Sequence, residues 1–389
     1  MTFVMRTLIV EDDETEIESW NDVIDLHNVD AGEHGFEFNC KIVKTLADAK
    51  HAISLENFDA AIVDIRLKLQ NGNAAPNTDG NEVLATILDS EMAVVAVFTG
   101  EAALAAPPQS ARQVVQVFTK GGGEGEGTAA VIEWLKQQAT MVKHIQLAQS
   151  SIRAEMARIF TKSIWPRWKY WTTENTEFRS VTDAITRHIT SHVYASLMEK
   201  GQQEAHPEEW YFVPPIREGL RTGDLVRIMN GVVEIVITPR CDLSRDNKNK
   251  TIQLASCEDV SVEWKARKER IAVAQAELEK SGAIEGDKVY SKILGKIKDA
   301  ENSLRQFTQH RNSTNFHFLP EMKLSTGSFG PFMVRFDSIR SVNRDSDEAR
   351  NILPNSRMAA LTPEFLPSLV ERLGTYFSRI GTPDYSHPE

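Results

Sequence analysis

Over its first 120 residues the chain alternates short apolar runs with helix-length segments, and the apolar runs stop at polar residues. Residues 3–10, 36–43, 60–63, 93–98 and 113–118 read as strands, and 14–26, 46–55 and 81–88 as helices. Strands this rich in Val, Ile and Ala are covered on both faces, and strands separated by helices pair in parallel. The expected fold of this part is α/β, a doubly wound five-stranded parallel sheet. Sheets of this kind bind ligands at the carboxyl ends of their strands.

The polar residues at those ends form one chemical set. The first strand runs into Glu11, Asp12 and Asp13, the third into Asp64, the fourth into Thr99 and the fifth into Lys120. Carboxylates gathered at one point repel each other unless a cation joins them, and hard oxygen ligands of this type suit Mg2+. An ammonium and a hydroxyl beside them complete a pocket for the oxygens of a phosphoryl group, whose transfer needs mainly positioning and charge stabilisation.

Five segments in order carry a family resemblance: Leu8-Ile9-Val10-Glu11-Asp12-Asp13, Ala61-Ile62-Val63-Asp64-Ile65-Arg66-Leu67, Asp79-Gly80-Asn81-Glu82-Val83-Leu84, Phe98-Thr99-Gly100 and Phe118-Thr119-Lys120. Over about residues 5–140 the chain resembles the receiver domain of two-component response regulators. The resemblance implies a flavodoxin-like receiver in which Glu11 and Asp12 bind Mg2+ together with Asp64. It makes Asp64 the phosphorylated aspartate, Thr99 and Lys120 the phosphate-sensing hydroxyl and lysine, and Phe118 the aromatic switch. It also implies a histidine kinase or phosphotransfer protein as partner. Two features depart from the family. Gly121-Gly122-Gly123 follows the lysine where proline is usual, and the loop over 68–78 is longer than usual. A degenerate receiver would keep the fold and lose the chemistry, but all five key positions here keep their functional groups.

Charge separates this part from the rest. Residues 1–140 hold 23 acidic and 9 basic side chains, whereas the remainder is nearly balanced, so no strong nucleic-acid footprint is expected. Cys40, Cys241 and Cys257 are too few for a disulfide framework. With no membrane-length apolar run and no signal peptide, the expected setting is cytoplasmic with no membrane partner.

Residues 128–160 read as one long helix without proline. Val131, Leu135, Gln138, Val142, Ile145, Gln149, Ile152, Met156 and Ile159 step by fours and threes, the seam of a coiled coil and of a homodimer. The alternative is a helix packed on its own chain. The aromatic and basic run from Ile164 to Trp171 follows, read as the start of a domain core rather than a base-stacking surface.

The expected division is a receiver over 1–127, a connecting helix over 128–162, and an α+β output module over 163–389 with a helical hairpin inserted at 258–311. In that module His188 and His192 are spaced for zinc but lack an evident third ligand. Asn230-Gly231 signals a two-residue hairpin between strands at 225–229 and 232–238. Further strands at 251–256, 315–319, 332–336 and 357–361 would close a small antiparallel barrel or curled sheet. Cys241, beside Arg240 and Asp242, is a candidate nucleophile if His317 lies near it in space, though structural packing is the simpler reading. The inserted hairpin interleaves Lys265, Arg267, Lys268, Arg270, Lys288, Lys292, Lys296 and Lys298 with acids, which reads as a solvated surface before a nucleic-acid grip. Thr362 and Pro363 read as the cap and first residue of a last helix running to about residue 380, and 382–389 as a disordered tail. No helix-turn-helix pair, Walker loop, cyclase or phosphodiesterase signature is read in this part. The expected output is binding to a downstream protein, with a phospho-gated enzyme or nucleic-acid binding by the hairpin as alternatives.

Overall fold

A computed structural model describes residues 2–67, 78–109, 111–112, 114–121, 123, 126–171, 178–200, 205–244, 250–309 and 313–378. The long loop after Asp64, the middle of the triple glycine and the C-terminal tail lie outside the described residues. The chain forms two compact units, Met1–Lys200 and Gly201–Glu389.

The first unit runs β1 (Phe3–Val10), α1 (Glu14–Val29), α2 (Ala31–His34), β2 (Phe36–Val43), α3 (Leu46–Leu55), β3 (Ala60–Val63), α4 (Asp79–Ser90), β4 (Val94–Thr99) and β5 (Val115–Thr119). The helices α5 (Gly127–Ile159), α6 (Trp168–Trp171) and α7 (Phe178–Lys200) complete it. The sheet order is β2-β1-β3-β4-β5, all parallel, the doubly wound order in which the strand sequence reverses beside β1 and β3. Asp13 caps α1 by accepting the backbone N–H of Thr15 at 2.9 Å, and Thr45 caps α3 through the N–H of Asp48 at 3.1 Å.

Two apolar layers cover the sheet. On one face Leu8, Val10, Ala61, Val63 and Val97 meet Ala49 and Ala52 of α3 and Val83, Leu84 and Ile87 of α4. On the other, Ile9, Ile62, Ala96 and Phe98 meet Trp20 and Ile24 of α1 and Val131, Leu135 and Val142 of α5. Trp20, fully buried, sets its ring edge-on to Phe98 at 5.0 Å. Side chains buried to this degree contribute about 1.5–3 kcal/mol each. The β4–β5 crossover departs from the alternation: apart from the short 3-10 turn Ala102–Leu104, no helix occupies its described residues. Pro107 and Pro108 remove amide donors from that stretch.

The long helix appears as expected, but its heptad seam is divided. Val131, Leu135 and Val142 are spent on the chain's own sheet, whereas Ile152 and Met156 stay exposed. Ile159 is buried where α7 folds back along α5. This is helix packing on its own chain over the first half. The aromatic run also departs from expectation. Ile164 is buried and Trp171 packs on His188, but Trp165, Trp168 and Tyr170 face solvent, so the segment does not open a core.

The second unit contains β6 (Tyr211–Phe212), β7 (Asp224–Arg227), β8 (Val233–Val236), α8 (Arg240–Leu243), β9 (Thr251–Asp259), α9 (Ser261–Ser281) and α10 (Lys288–Gln309). It continues with β10 (Phe316–Leu319), β11 (Met322–Leu324), β12 (Gly327–Phe329), β13 (Phe332–Asn343), α11 (Leu353–Asn355), β14 (Arg357–Leu361) and α12 (Leu366–Phe377). Seven strands form one curled antiparallel sheet, a half-barrel of order β10-β13-β9-β8-β7-β14-β6, and β11 and β12 pair apart. The core joins Leu225, Ile235, Ala255, Leu319, Val334, Phe336 and Leu361 to Leu369 of α12. The register of β13 on β9 breaks between Arg335 and Ile339, a bulge that bends the strand.

The β7–β8 hairpin is present, but its turn is wider than the Asn-Gly pair implied. The Gly231 N–H donates to Ile228 O and the Ile228 N–H to Val232 O, with Gly231 at φ 82°. That is a three-residue loop closed by a left-handed glycine, which accommodates strand twist as well as the two-residue turn does. The inserted helical hairpin is α9 and α10, joined by Ala274, Ile293 and Ile297. Three of its cations are used locally: Arg267 lies over Phe307, Lys268 over Trp264, and Lys296 binds Glu277 at 2.7 Å. The last helix starts at Leu366, later than Thr362 and Pro363 implied. The Thr362 hydroxyl donates to Glu209 O at 2.9 Å and its N–H to Trp210 O at 3.0 Å. A threonine engaged with the strand next door cannot cap a helix, and Pro367 takes the first-turn place instead.

Candidate functional site

The strand register delivers the site. Val10 of β1 is level with Val63 of β3, and Val63 with Val97 of β4. Thr99 of β4 is level with Thr119 of β5. The residues that follow those strands, or end them, therefore share one edge of the sheet: Glu11, Asp12, Asp64, Thr99 and Lys120.

Glu11, Asp12 and Asp64 bring one carboxylate oxygen each to within 4.8 Å of one another. Glu11 is 1% exposed and Asp64 7% exposed, and Asp12 is half-buried. The Lys120 ammonium reaches across this group, 2.7 Å from Glu11 Oε2 and 2.7 Å from Asp64 Oδ2. Backbone donors hold the acids in place: Glu11 Oε1 accepts the N–H groups of Asp12 and Asp13 at 3.2 and 3.1 Å, and Asp64 Oδ1 that of Arg66 at 3.2 Å. Burial pushes the Glu11 carboxyl above its ordinary value, with Lys120 pulling the other way. For Lys120, burial would lower the ammonium, but hydrogen bonds to Asp64 and Glu11 outweigh it and hold it above its usual range.

Three carboxylates against one ammonium leave two negative charges in excess, the charge of one divalent ion. The all-oxygen donor set, half open at Asp12, fits a hard cation such as Mg2+. Glu11, Asp12 and Asp64 are the residues that would hold it.

Thr99 is buried at the rim, where its carbonyl accepts the Lys120 N–H at 3.1 Å and its hydroxyl the Glu101 N–H at 3.4 Å. Phe118 sits one strand position before Thr119 and points the other way, toward α5, with its ring 6.0 Å from Trp134. It does not enter the acidic pocket.

Three contributors escaped the sequence reading. Gly80, in the first turn of α4, packs so closely that a Cβ there would lie 2.0 Å from the backbone oxygen of Asp64. The Asp79-Gly80 pair was visible, but nothing local revealed what the glycine touches. Arg66 and Glu101 form an ion pair of 2.6 Å between the loops that follow β3 and β4. Trp134, on α5, is the partner of Phe118.

The other sequence candidates do not assemble. His317 of β10 is level with Val334 of β13, which is level with Cys257 of β9 and so with Val233 at the start of β8. Cys241 lies beyond the opposite end of β8, exposed, with its thiol 3.7 Å from Asp242 Oδ1. Register therefore keeps Cys241 and His317 apart, and a neighbouring carboxylate does not activate a thiol. His188 and His192 approach to 4.3 Å between ring centroids, and His188 bonds Ser163 at 3.1 Å. Among the described residues, the group of three or more metal-binding side chains is the one at Asp64, so the histidine pair lacks a third ligand there.

No protein-family model matches the chain, and no curated protein matches it. Among solved structures it is similar to the signal receiver domain of a protein named as a Luxo repressor from Vibrio parahaemolyticus, at 18% identity. The match covers 37% of this chain and 95% of that one, with a TM-score of 0.26. A score that low carries no weight beside the strand order, the register and the pocket seen directly in this chain.

Proposed function

We propose that the chain is a phosphorylation-dependent response regulator that takes a phosphoryl group on Asp64 from a histidine kinase or phosphotransfer protein. The observation that carries this reading is the Lys120 ammonium set 2.7 Å from both Asp64 and Glu11 at the carboxyl edge of a parallel sheet. In the reaction, a carboxylate oxygen of Asp64 forms a bond to phosphorus as the bond from phosphorus to the donor nitrogen breaks. The electron pair of that bond leaves with the donor, and Asp64 becomes an acyl phosphate. Lys120 shifts from Asp64 to the new phosphoryl oxygens, the Thr99 hydroxyl donates to another, and Glu11 and Asp12 would hold the cation. Mg2+, when bound, supplies the positive charge that phosphoryl oxygens need. Rearrangement at Thr99 and Phe118 then reaches Trp134 and α5. Residues 1–127 act as receiver, 128–162 as connector and 163–389 as output. The output module recognises a downstream protein, and the chain's own catalysis is limited to forming and hydrolysing the aspartyl phosphate.

Incubation of the full chain with acetyl phosphate and Mg2+ tests the reading. Wild type is expected to gain phosphate that base or hydroxylamine releases, and Asp64→Asn and the metal-free sample to gain none. Equal labelling of wild type and Asp64→Asn would overturn it.

A further inference from the structure

We propose that the end of the helical arm formed by α5 and α7 docks on an anionic lipid bilayer surface. The helix α5 has 33 residues, about 50 Å of length. Its first half is fixed to the sheet through Val131, Leu135 and Val142, and Gln146 closes that half by donating to Val4 O at 2.8 Å. The second half runs on with α7 antiparallel to it, since Ser163 pairs with His188 at 3.1 Å and Arg158 with Ser196 at 2.6 Å. The turn side of this arm is the segment 160–171.

That segment sorts its apolar residues into two sets. Ile159 and Ile164 are buried and Trp171 packs on His188, which anchors the turn to the arm. Phe160, Trp165, Trp168 and Tyr170 are 48%, 70%, 50% and 66% exposed. Four large rings left out within eleven residues, beside anchors that do pack, are surplus to folding. Lys162, Arg167 and Lys169 stand exposed among them, and no Asp or Glu occurs from Met156 to Thr173. The tip is cationic on a unit whose first 140 residues are strongly acidic, so its complement is an anionic partner.

Two anionic partners accept rings and cations together, and the geometry favours lipid. Strand binding to nucleic acid uses a groove that tracks the backbone, with bare ring faces for the bases. Arg167 and Lys169 already cover the Tyr170 ring. Indole and phenol rings flanked by lysine and arginine are instead the side chains that settle at headgroup level, and cations beside them respond to anionic lipid. No helix among the described residues is long and apolar enough to cross a membrane, and peripheral docking needs none. This revises the sequence expectation of a chain without a membrane partner.

Sedimentation of the full chain with vesicles of phosphatidylcholine, alone or mixed with phosphatidylglycerol, tests the proposal. Wild type is expected to sediment with the mixed vesicles and to be released by salt. The double variant Trp165→Ser/Trp168→Ser and the double variant Lys162→Glu/Lys169→Glu should each lose about tenfold or more in partitioning, because ring burial and charge contribute separately. Circular dichroism establishes that these exposed substitutions leave the helices folded. Failure of wild type to sediment, equal sedimentation with neutral vesicles, or variants that sediment like wild type would each overturn it. Loss of single-stranded oligonucleotide binding or of self-association in the same variants, with no vesicle binding by wild type, would overturn it in favour of those partners.

Discussion

Lys120 shares one positive charge between two acids that burial has stripped of water, and several consequences are local to single residues. Removing the ammonium leaves Glu11 and Asp64 facing each other uncompensated. Lys120→Met is therefore expected to bind Mg2+ more tightly than wild type, by about tenfold or more, while losing aspartyl phosphate formation. Calorimetric titration with Mg2+ and acetyl phosphate labelling read the two effects separately. Gly80→Ala forces a methyl group against the Asp64 backbone and is expected to cost about 1–3 kcal/mol in urea unfolding. The same substitution should slow phosphoryl uptake, because the displaced atoms belong to Asp64, the proposed acceptor. A third residue sets a pH response. His27 is buried between Phe36, Phe38 and His34, its Nε2 bonded to Phe36 O and its Nδ1 without a partner among the described residues. Burial lowers its proton affinity below the ordinary value of 6.5 against the opposing hydrogen bond to Phe36 O, His34 and Lys136 push the same way as burial, and Asp30 opposes them. The unfolded chain then binds the proton more readily than the folded one. The contribution of His27 is whole above pH 6.5 and declines as pH falls below it. His27→Phe should flatten the dependence of melting temperature on pH in that window, and an unchanged slope would show that other groups set it.

Among the elements, α5 shows how one periodicity serves two surroundings. Its heptad spacing was plain in the sequence, yet the seam faces the sheet at Leu135 and solvent at Ile152. Leu135→Ala is expected to destabilise by about 2–5 kcal/mol, and Ile152→Ala to stay within about 0.5 kcal/mol. Chemical denaturation of the two variants separates a seam used within the chain from one used along its whole length between chains. Large and equal losses at both positions would favour the dimer reading. The strands and first three long helices of the parallel sheet were legible because apolar runs and caps are local signals. The beginning of α12 was not legible, since Thr362 is drawn into the edge pairing of β14 with β6, a contact made across 153 residues. The hairpin turn at Gly231 was legible in kind and not in length, because the register of β7 on β8 settles how many residues the loop spans.

For the molecule as a whole, the two compact units have separate cores, and every residue of the acidic pocket belongs to the first. A chain ending at Lys200 is expected to take up phosphate on Asp64 at the rate of the full chain, which time courses with acetyl phosphate would measure. A large change in rate would mean that the second unit bears on the site. The sequence by itself determined the parallel sheet and the placing of Asp64 with its acidic and basic companions, because each strand carries its polar residues at its own carboxyl end. It also determined that the second half is antiparallel with an inserted helical pair, from strand spacing and charge. Only the tertiary structure decided which candidates meet: Lys120 spans Asp64 and Glu11, Gly80 abuts the Asp64 backbone, and Cys241 stays far from His317. It alone decided that Trp165 and Trp168 face outward while Trp171 packs on His188. Distances between residues remote in sequence are set by register and by how helices pack, and neither is written in any local stretch of chain.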